Sequence, residues 1–259
     1  MTYPVEISYV ALTVNDLTGM RDFYANIIGL TPLTGDGETA TLGAGGRTLL
    51  ELRADRHAPR PPRNAAGLFH TAFLMPERGD LGRWLRHAAE TGQQLSGASD
   101  HAVSEAVYLS DPEGNGIEIY IDRPESSWQR DGDKVHMITE RMDVEGVLAA
   151  GHGPWMGMPD GSKVGHVHLS TSELSAARDF ATGQLGLTET LVGQGGAWFG
   201  SGGYHHQLAA NTWNSRGAGP RRFPSIGLAE IGLTVTPESG LSSARITDPD
   251  GTGFILKAA

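Results

Sequence analysis

The chain has 259 residues, of which 39% are hydrophobic and 19% charged, and this balance is typical of a globular protein with one large or two ordinary domains. It contains no cysteine, which excludes disulfides, thiolate metal sites and iron–sulfur clusters, so a bound metal would need His, Asp or Glu ligands. The net charge of −10 argues against a nucleic-acid-binding surface, since phosphate neutralisation needs clustered Lys and Arg. No apolar run approaches the roughly 18 residues that would span a membrane. No signal-peptide pattern is visible either, so we expect a cytoplasmic protein that binds neither nucleic acid nor membrane.

A first repeat relates residues 7–17 to residues 165–174. Both segments alternate like a half-buried strand, and both lead into an amphipathic, helix-like stretch. Each helix-like stretch carries Arg-Asp-Phe at the same offset and stops at Gly-Leu-Thr, where glycine is typical of a helix end. These tripeptides are Arg21-Asp22-Phe23 with Gly29-Leu30-Thr31, and Arg178-Asp179-Phe180 with Gly186-Leu187-Thr188.

A second repeat relates residues 111–116 to residues 248–253. Both read Asp-Pro-acid-Gly-x-Gly, a tight turn that leads into a terminal strand. Strand-like segments precede these turns at 68–75 and 228–235. The two repeats together predict four βαβββ modules, at residues 5–54, 66–123, 163–213 and 226–258.

The predicted fold class is α+β, with the four modules forming two cupped mixed sheets. We expect an N-terminal pair of modules within residues 1–130, an inter-half linker at 131–162, and a C-terminal pair within 163–259. The stretch from 76 to 111 can hold a full helix, whereas the corresponding stretch from 237 to 248 is too short. Module 4 is therefore predicted to lack its helix, so that another element must cover one sheet face.

Further motifs lie near the ends of modules 2 and 3. They are residues 100–112 (DHAVSEAVYLSDP) with Glu118 and Tyr120, Asp122-Arg123-Pro124 with Trp128-Gln129-Arg130, and Tyr204-His205-His206 with Asn211-Thr212-Trp213. With the four modules, these motifs resemble the vicinal-oxygen-chelate superfamily of glyoxalases, bleomycin-resistance proteins and extradiol dioxygenases. The resemblance covers nearly the whole chain and is greatest to bacterial four-module catechol-2,3-dioxygenase-like proteins. It implies that paired modules form a cupped sheet around a metal, with ligands from the first and last strands of modules.

The metal ligands depend on which modules pair. Pairing in sequence order would place Tyr9, His70 and Glu118 in one cup, without a complete set of two histidines and a carboxylate. Pairing module 2 with module 3 instead collects His70, His166 and Glu118, and leaves the cup of modules 1 and 4 without metal. We favour this second pairing. We also expect His168 to point to the opposite face from His166 and to have a structural or supporting role.

The resemblance also implies the chemistry. The set of two histidines and one carboxylate suits Fe(II), with Mn(II), Zn(II) or Ni(II) as alternatives. His101 resembles the acid–base histidine of the family and Tyr108 its hydrogen-bonding tyrosine. His205 and His206 are placed on the last strand of module 3, where one should reach the pocket. The predicted catalytic residues are His101, Tyr108 and His206, and the predicted substrate-binding residues are His205, Asn211 and Trp213.

The leading functional hypothesis is an Fe(II)-dependent extradiol dioxygenase that cleaves a catechol- or hydroquinone-like aromatic with O₂. Two alternatives stay open. One is a glyoxalase-like lyase or isomerase, for which Glu51 would be a further ligand if modules 1 and 2 pair. The other is a non-catalytic protein that binds a small molecule or confers resistance. The expected partners are a small aromatic substrate and O₂, and a homodimer is allowed.

Overall fold

Modules 1 and 2 supply eight strands and two helices of the computed structural model, which describes residues 3–259. In module 1 these are β1 (Val5–Val14), α1 (Leu17–Phe23), which continues as a π-helical turn over Tyr24–Ile28, β2 (Thr31–Gly35), β3 (Thr39–Ala44) and β4 (Arg47–Ala54). In module 2 they are β5 (Gly67–Met75), α2 (Arg78–Glu90), β6 (Gly97–Asp100), β7 (Ser104–Ser110) and β8 (Gly116–Asp122).

The rest of the chain adds ten strands and two helices to those of the first two modules. Strand β9 (Arg130–Asp131) spans the start of the linker, which also holds β10 (Lys134–Val135), β11 (Glu140–Arg141) and α3 (Val144–Ala150). Module 3 comprises β12 (Lys163–Ser170), α4 (Leu174–Gly183), β13 (Thr188–Gly193), β14 (Gly196–Gly200) and β15 (Leu208–Asn211). Module 4 comprises β16 (Gly227–Val235), β17 (Ala244–Thr247) and β18 (Gly253–Ala258).

The strands form two large mixed sheets, which confirms the predicted fold class. One sheet has the order β17-β18-β16-β1-β4-β3-β2, and the other has the order β11-β6-β7-β8-β5-β12-β15-β14-β13. Module 1 therefore shares a sheet with module 4, and module 2 shares a sheet with module 3, as the favoured pairing predicted. Each sheet thus takes one module from each half of the sequence, while the domain limits proposed above stay a prediction.

The Asp-Pro-acid-Gly turns of the second repeat have the same local structure. Asp111 Oδ1 accepts hydrogen bonds from the backbone amides of Glu113 (3.0 Å) and Asn115 (2.9 Å). Asp248 Oδ1 accepts the corresponding bonds from the amides of Asp250 (3.0 Å) and Thr252 (2.6 Å). The side chain of aspartate can close such a turn on its own backbone, which is why both copies begin with this residue.

The two sheets share one hydrophobic core, to which helices α1, α2 and α4 also contribute. Module 4 has only a short 3₁₀ turn, Pro237–Ser239, where modules 1–3 have a helix, and this confirms the prediction of a missing helix. Phe180 on α4 packs against Phe254 on β18, with ring centroids 5.1 Å apart. The helix of module 3 therefore covers part of the sheet face that module 4 leaves open.

The linker contains secondary structure that packs against module 2. Strand β11 extends the second sheet by pairing with β6, and α3 packs against α2. The two helices approach closely at Gly82, where a Cβ atom would collide with the backbone oxygen of Val147. Within residues 3–259, no helix combines the length and the hydrophobicity needed to cross a membrane.

Candidate metal centre and active-site cavity

Three adjacent strands of the second sheet bring His70, Glu118 and His166 together. Ala72 on β5 pairs with Glu118 on β8 on one side and with His166 on β12 on the other. His70 lies two residues before Ala72 and so points to the same face of the sheet. The sheet register alone therefore gathers three ligand-type side chains from three separate parts of the chain.

The ligand atoms of these three residues form a nearly equilateral triangle. His70 Nε2 lies 3.0 Å from Glu118 Oε2 and 3.2 Å from His166 Nε2, and His166 Nε2 lies 3.2 Å from Glu118 Oε2. Two ligand atoms each about 2.1 Å from one metal, at a right angle, would be about 3.0 Å apart. The triangle therefore has the size of one face of an octahedral coordination sphere. Within residues 3–259, this is the one group of His, Cys, Asp or Glu side chains that could hold a metal ion.

The charges of the three side chains also suit a cation. All three are buried, with 7% of His70 and 2% each of Glu118 and His166 exposed. Burial alone would raise the pKa of Glu118, but the facing His166 and His70 outweigh it and hold this pKa well below its usual range. Burial lowers the pKa of His166 in spite of the neighbouring Glu118. An ionised carboxylate beside a neutral imidazole is the form in which both groups ligate a metal.

His101 and Tyr108 lie together on one side of this centre. His101 Nε2 is 2.7 Å from the hydroxyl of Tyr108, and His101 Nδ1 donates to the backbone oxygen of Ile138 at 2.6 Å. Since Nδ1 carries the proton, the Nε2 of a neutral His101 accepts from the hydroxyl of Tyr108. Burial and the nearby Glu118 raise the pKa of Tyr108 well above its usual value, so it stays a protonated phenol. No role was predicted for the linker at this site, whereas the backbone oxygen of its Ile138 fixes the tautomer of His101.

His206 lines the cavity above the metal centre, and His205 does not. The ring of His206 lies 4.2 Å from that of His166, whereas His205 is fully buried behind it. The prediction that both lie on the last strand of module 3 was wrong, because β15 begins only at Leu208. Neighbouring residues of a strand point to opposite faces. The Nδ1 atoms of His205 and His206 are instead 2.7 Å apart, which requires the turn that precedes β15.

The prediction that His168 points to the opposite face from His166 was also wrong. Residues two apart in a strand share a face, and His168 therefore lies on the cavity side with His166, opposite His70 in the β12–β5 register. The side-chain amide of Asn211 donates to His168 Nε2 at 3.0 Å, while its oxygen accepts from the backbone amide of Trp213. Asn211, predicted to bind substrate, is thus fully buried behind His168 and holds it in place.

The remaining predicted residue, Trp213, lines an aromatic part of the cavity. Its ring lies 5.3 Å from that of Phe69 and 5.5 Å from that of His168, and the ring of Trp198 lies 6.0 Å from that of His168. The indole nitrogen of Trp213 donates to the backbone oxygen of Gln194 at 2.7 Å. The whole cavity measures about 950 Å³, so a molecule well larger than a single ring fits above the metal centre.

The first sheet has a matching set of positions that lack histidine. Ala11 on β1 pairs with Glu51 on β4 and with Glu230 on β16, just as Ala72 pairs with Glu118 and His166. Tyr9 holds the position of His70, and its hydroxyl donates to Glu230 Oε1 at 2.7 Å. The guanidinium of Arg53 bridges Glu51 Oε1 at 2.7 Å and Glu230 Oε1 at 2.6 Å. Arg53 therefore pairs with both carboxylates, and Arg245 Nη2 adds a second positive charge 3.5 Å from Glu230 Oε2. That this cup holds no metal stays a prediction.

Removal of the Arg53 charge should destabilise the protein. Burial raises the pKa of Glu230, but bonds from Arg53 and Tyr9 outweigh this and hold the pKa below its usual range. A depressed carboxyl pKa stabilises the fold above the unfolded-state pKa, and this contribution is lost as the pH falls through the folded-state value. We expect Arg53→Met to lower the free energy of unfolding at pH 7 by about 2–4 kcal/mol, because the buried Glu230 loses its nearest positive charge and keeps only Tyr9 and the more distant Arg245. The expected loss is smaller than for a fully buried ion pair because Arg53 is partly exposed.

Urea unfolding at pH 7 measures this change. The control is Arg21→Met, because Arg21 pairs with its neighbour Asp22 and both side chains are about half-exposed. That substitution should change the free energy of unfolding by less than about 1 kcal/mol. Equal effects of the two substitutions would show that Arg53 does not stabilise the buried carboxylate of Glu230.

Comparison with known proteins places this fold and site in a family. Residues 6–119 match the model of the glyoxalase/bleomycin resistance protein/dioxygenase superfamily. The chain is 41% identical over 228 residues to catechol-2,3-dioxygenase of Bacillus subtilis, a match that covers 86% of this chain and 80% of the relative. It is also 32% identical over 134 residues to biphenyl-2,3-diol 1,2-dioxygenase 2 of Rhodococcus globerulus, covering 47% of this chain and 65% of that protein. The chain therefore belongs to the glyoxalase/bleomycin resistance protein/dioxygenase superfamily.

Solved structures share the fold at low sequence identity. A putative dioxygenase from Bacillus subtilis aligns over 100% of this chain and 86% of its own, with a TM-score of 0.66 and 12% identity. A glyoxalase I mutant from Zea mays aligns over 98% of this chain and 94% of its own, with a TM-score of 0.59 and 13% identity. One arrangement of modules therefore occurs in proteins named for different reactions, and the reaction must be argued from the site.

Proposed function

We propose that the protein is an Fe(II)-dependent extradiol dioxygenase that cleaves the ring of a catechol-like aromatic with O₂. The observation that carries the proposal is the convergence of His70, His166 and Glu118 at the base of a cavity that also presents His101, Tyr108 and His206. Two histidines and one carboxylate on one face of a metal are the ligand set of non-haem Fe(II) oxygenases. Mn(II), Zn(II) and Ni(II) suit the same donor atoms.

The named relatives support the same reaction. Both the Bacillus and the Rhodococcus proteins carry names that state dioxygenase action on an aromatic with two adjacent hydroxyl groups. The greater similarity is to the protein named for catechol, and that match extends over most of both chains. The cavity of about 950 Å³ also leaves room for a catechol with a sizeable ring substituent.

The residues around the metal centre have distinct roles in this proposal. His70, His166 and Glu118 would hold the ion, which when bound supplies open positions for two adjacent substrate oxygens and for O₂. His206, beside His166, would accept a proton from a substrate hydroxyl. On the other side, the Tyr108 hydroxyl would turn its hydrogen from His101 Nε2 to an oxygen of the substrate, and the bare His101 Nε2 would then be available to accept a proton.

The aromatic part of the cavity would hold the substrate ring. Phe69, Trp198 and Trp213 surround His168 and present flat apolar surfaces next to the metal centre. Their rings would exclude water from one face of the substrate and fix its plane. Val192 and Trp213 are both about half-exposed, so we place the entrance of the cavity beside them.

The two alternative functions have less support. The glyoxalase-like reaction would need Glu51 as a further ligand, but Glu51 lies on the first sheet and pairs with Arg53. A purely binding protein has no need of the His101–Tyr108 pair or of His206 beside the metal ligands. The arrangement of these proton-transfer groups therefore favours an enzyme.

Anaerobic loading with Fe(II), followed by catechol and then O₂, tests the proposed reaction. We expect a yellow ring-opened product from the iron-loaded protein and none from protein loaded with Zn(II), which has no redox chemistry. Tyr9→Phe, which alters only the metal-free cup, should cleave catechol at the wild-type rate. Absence of turnover across a broad panel of catechols and hydroquinones would refute the proposal, and equal ring cleavage by the zinc-loaded protein would refute its dependence on Fe(II).

A further inference from the structure

A chain of buried hydrogen bonds runs from His206 away from the cavity. His206 Nδ1 lies 2.7 Å from His205 Nδ1, and His205 Nε2 lies 2.8 Å from Asp122 Oδ1. His205 is fully buried, and 7% of His206 is exposed. His205 and Asp122 are 83 residues apart in the sequence, so the fold assembles this chain from the ends of modules 2 and 3.

The carboxylate of Asp122 determines where the protons of the chain lie. An ionised carboxylate only accepts hydrogen bonds, so His205 must donate its Nε2–H to Asp122. The second carboxylate oxygen of Asp122 accepts from the hydroxyl of Tyr204 at 2.8 Å, and the Tyr204 hydroxyl is also bonded to that of Tyr120 at 2.8 Å. Both oxygens of Asp122 are therefore engaged, which fixes the direction of the carboxylate.

The tautomer of His206 follows from that of His205. A neutral His205 with its proton on Nε2 has a bare Nδ1, which can only accept a hydrogen bond. His206 must then donate its Nδ1–H, and its own Nε2 is left without a proton. Among the described residues, His206 Nε2 has no hydrogen-bond partner, while the ring lines the cavity next to His166. A bare nitrogen is thereby available to a molecule in the cavity.

Aromatic packing holds the middle of the chain in place. The ring of Tyr204 lies 4.0 Å from that of His205, and the indole of Trp128 covers His205 at 5.0 Å. The orientation of Trp128 is fixed in turn, because its indole nitrogen donates to the backbone oxygen of Arg123 at 3.0 Å. The two motifs of the sequence that contain Asp122 and Tyr204 thus meet in one structure around His205.

We propose that Asp122 and His205 are positioning residues, which hold His206 in the tautomer that presents a bare Nε2 to the substrate. The inference rests on the proposed function, in which His206 accepts a proton from a substrate hydroxyl. In the other tautomer, Nε2 would carry a hydrogen and could not accept that proton. A carboxylate that sets the tautomer of a catalytic histidine through a hydrogen bond has the same effect in serine proteases.

Nitrogen-15 NMR of histidine side chains in the Zn(II)-loaded protein tests the tautomer without any need for turnover. We expect His206 of the wild type to be protonated on Nδ1 and bare on Nε2, and Asp122→Asn to lose this pattern. Tyr9→Phe alters only the cup of modules 1 and 4, so this control should retain the wild-type pattern. Detection of a proton on Nε2 of wild-type His206 overturns the inference, even if Asp122→Asn does not fold.

Steady-state kinetics with the Fe(II)-loaded protein and catechol is the second readout. Asp122→Asn should lower kcat by about 10- to 100-fold, as is usual for residues that orient a site from behind, with KM and the metal content unchanged. Wild-type kcat in a folded Asp122→Asn variant would also overturn the inference. If no diol is cleaved but the NMR pattern is as expected, the proposed reaction fails while the positioning of His206 stands.

Discussion

Glu118→Ala is expected to abolish metal binding and catalysis together. Glu118 is the one anionic ligand of the proposed site, and its removal leaves only two histidines to hold a divalent cation. A metal that activates substrate contributes several kcal/mol to the barrier, so the rate should fall by at least about 10³-fold. The fold itself should persist, since removal of the carboxylate leaves no uncompensated negative charge between His70 and His166.

The cup of modules 1 and 4 provides the matched control for this substitution. Glu51 occupies the position in the first sheet that Glu118 occupies in the second, so Glu51→Ala removes an equivalent carboxylate. We expect Glu51→Ala to bind one metal ion per chain and to turn over catechol, whereas Glu118→Ala does neither. Metal content by plasma emission spectroscopy after gel filtration measures the first effect. Loss of the metal from Glu51→Ala rather than from Glu118→Ala would place the ion in the cup of modules 1 and 4 and would contradict the proposed site.

His101→Asn is expected to separate chemistry from metal binding. His101 lies behind Tyr108 and does not belong to the triangle of ligand atoms. Its loss should therefore leave one metal ion per chain, while kcat falls by about 10²- to 10⁴-fold, which is the usual contribution of a group that transfers protons. Tyr108→Phe should show a decrease in the same direction, because it removes the hydroxyl through which His101 acts.

Rapid-mixing kinetics of the anaerobic enzyme–catechol complex with O₂ measures this effect directly. His152→Asn is a suitable control, since His152 is exposed in the linker loop that follows α3, outside the cavity lining. It should bind metal and cleave catechol as the wild type does. A His101→Asn variant with wild-type kcat would remove His101 from the mechanism, whatever its metal content.

The internal repeats made the architecture predictable. The Gly-Leu-Thr and Asp-Pro-acid-Gly motifs recur at equivalent positions, and such recurrence defines modules without knowledge of their contacts. The pairing of modules 2 and 3 followed from ligand chemistry, because only this pairing joins two histidines and a carboxylate. The structure adds the strand register, in which Ala72 pairs with both Glu118 and His166 and so brings their side chains to the same face of the sheet.

The environment of the metal centre was less predictable for physical reasons. His168 was assigned to the wrong face, although the two-residue period of a strand places it beside His166. The turn before β15 was missed because no local pattern distinguishes the His205–His206 pair from a strand. The contact of Ile138 with His101 and of Asp122 with His205 joins distant parts of the chain, and pattern and propensity carry no information on such contacts.

The most direct test of the metal centre is a crystal structure of protein loaded anaerobically with Fe(II), with anomalous data collected on both sides of the iron absorption edge. The expected result is a single anomalous peak per chain, bonded to His70, His166 and Glu118. A peak beside Tyr9, Glu51 and Glu230, or no peak at the three predicted ligands, would contradict the assignment.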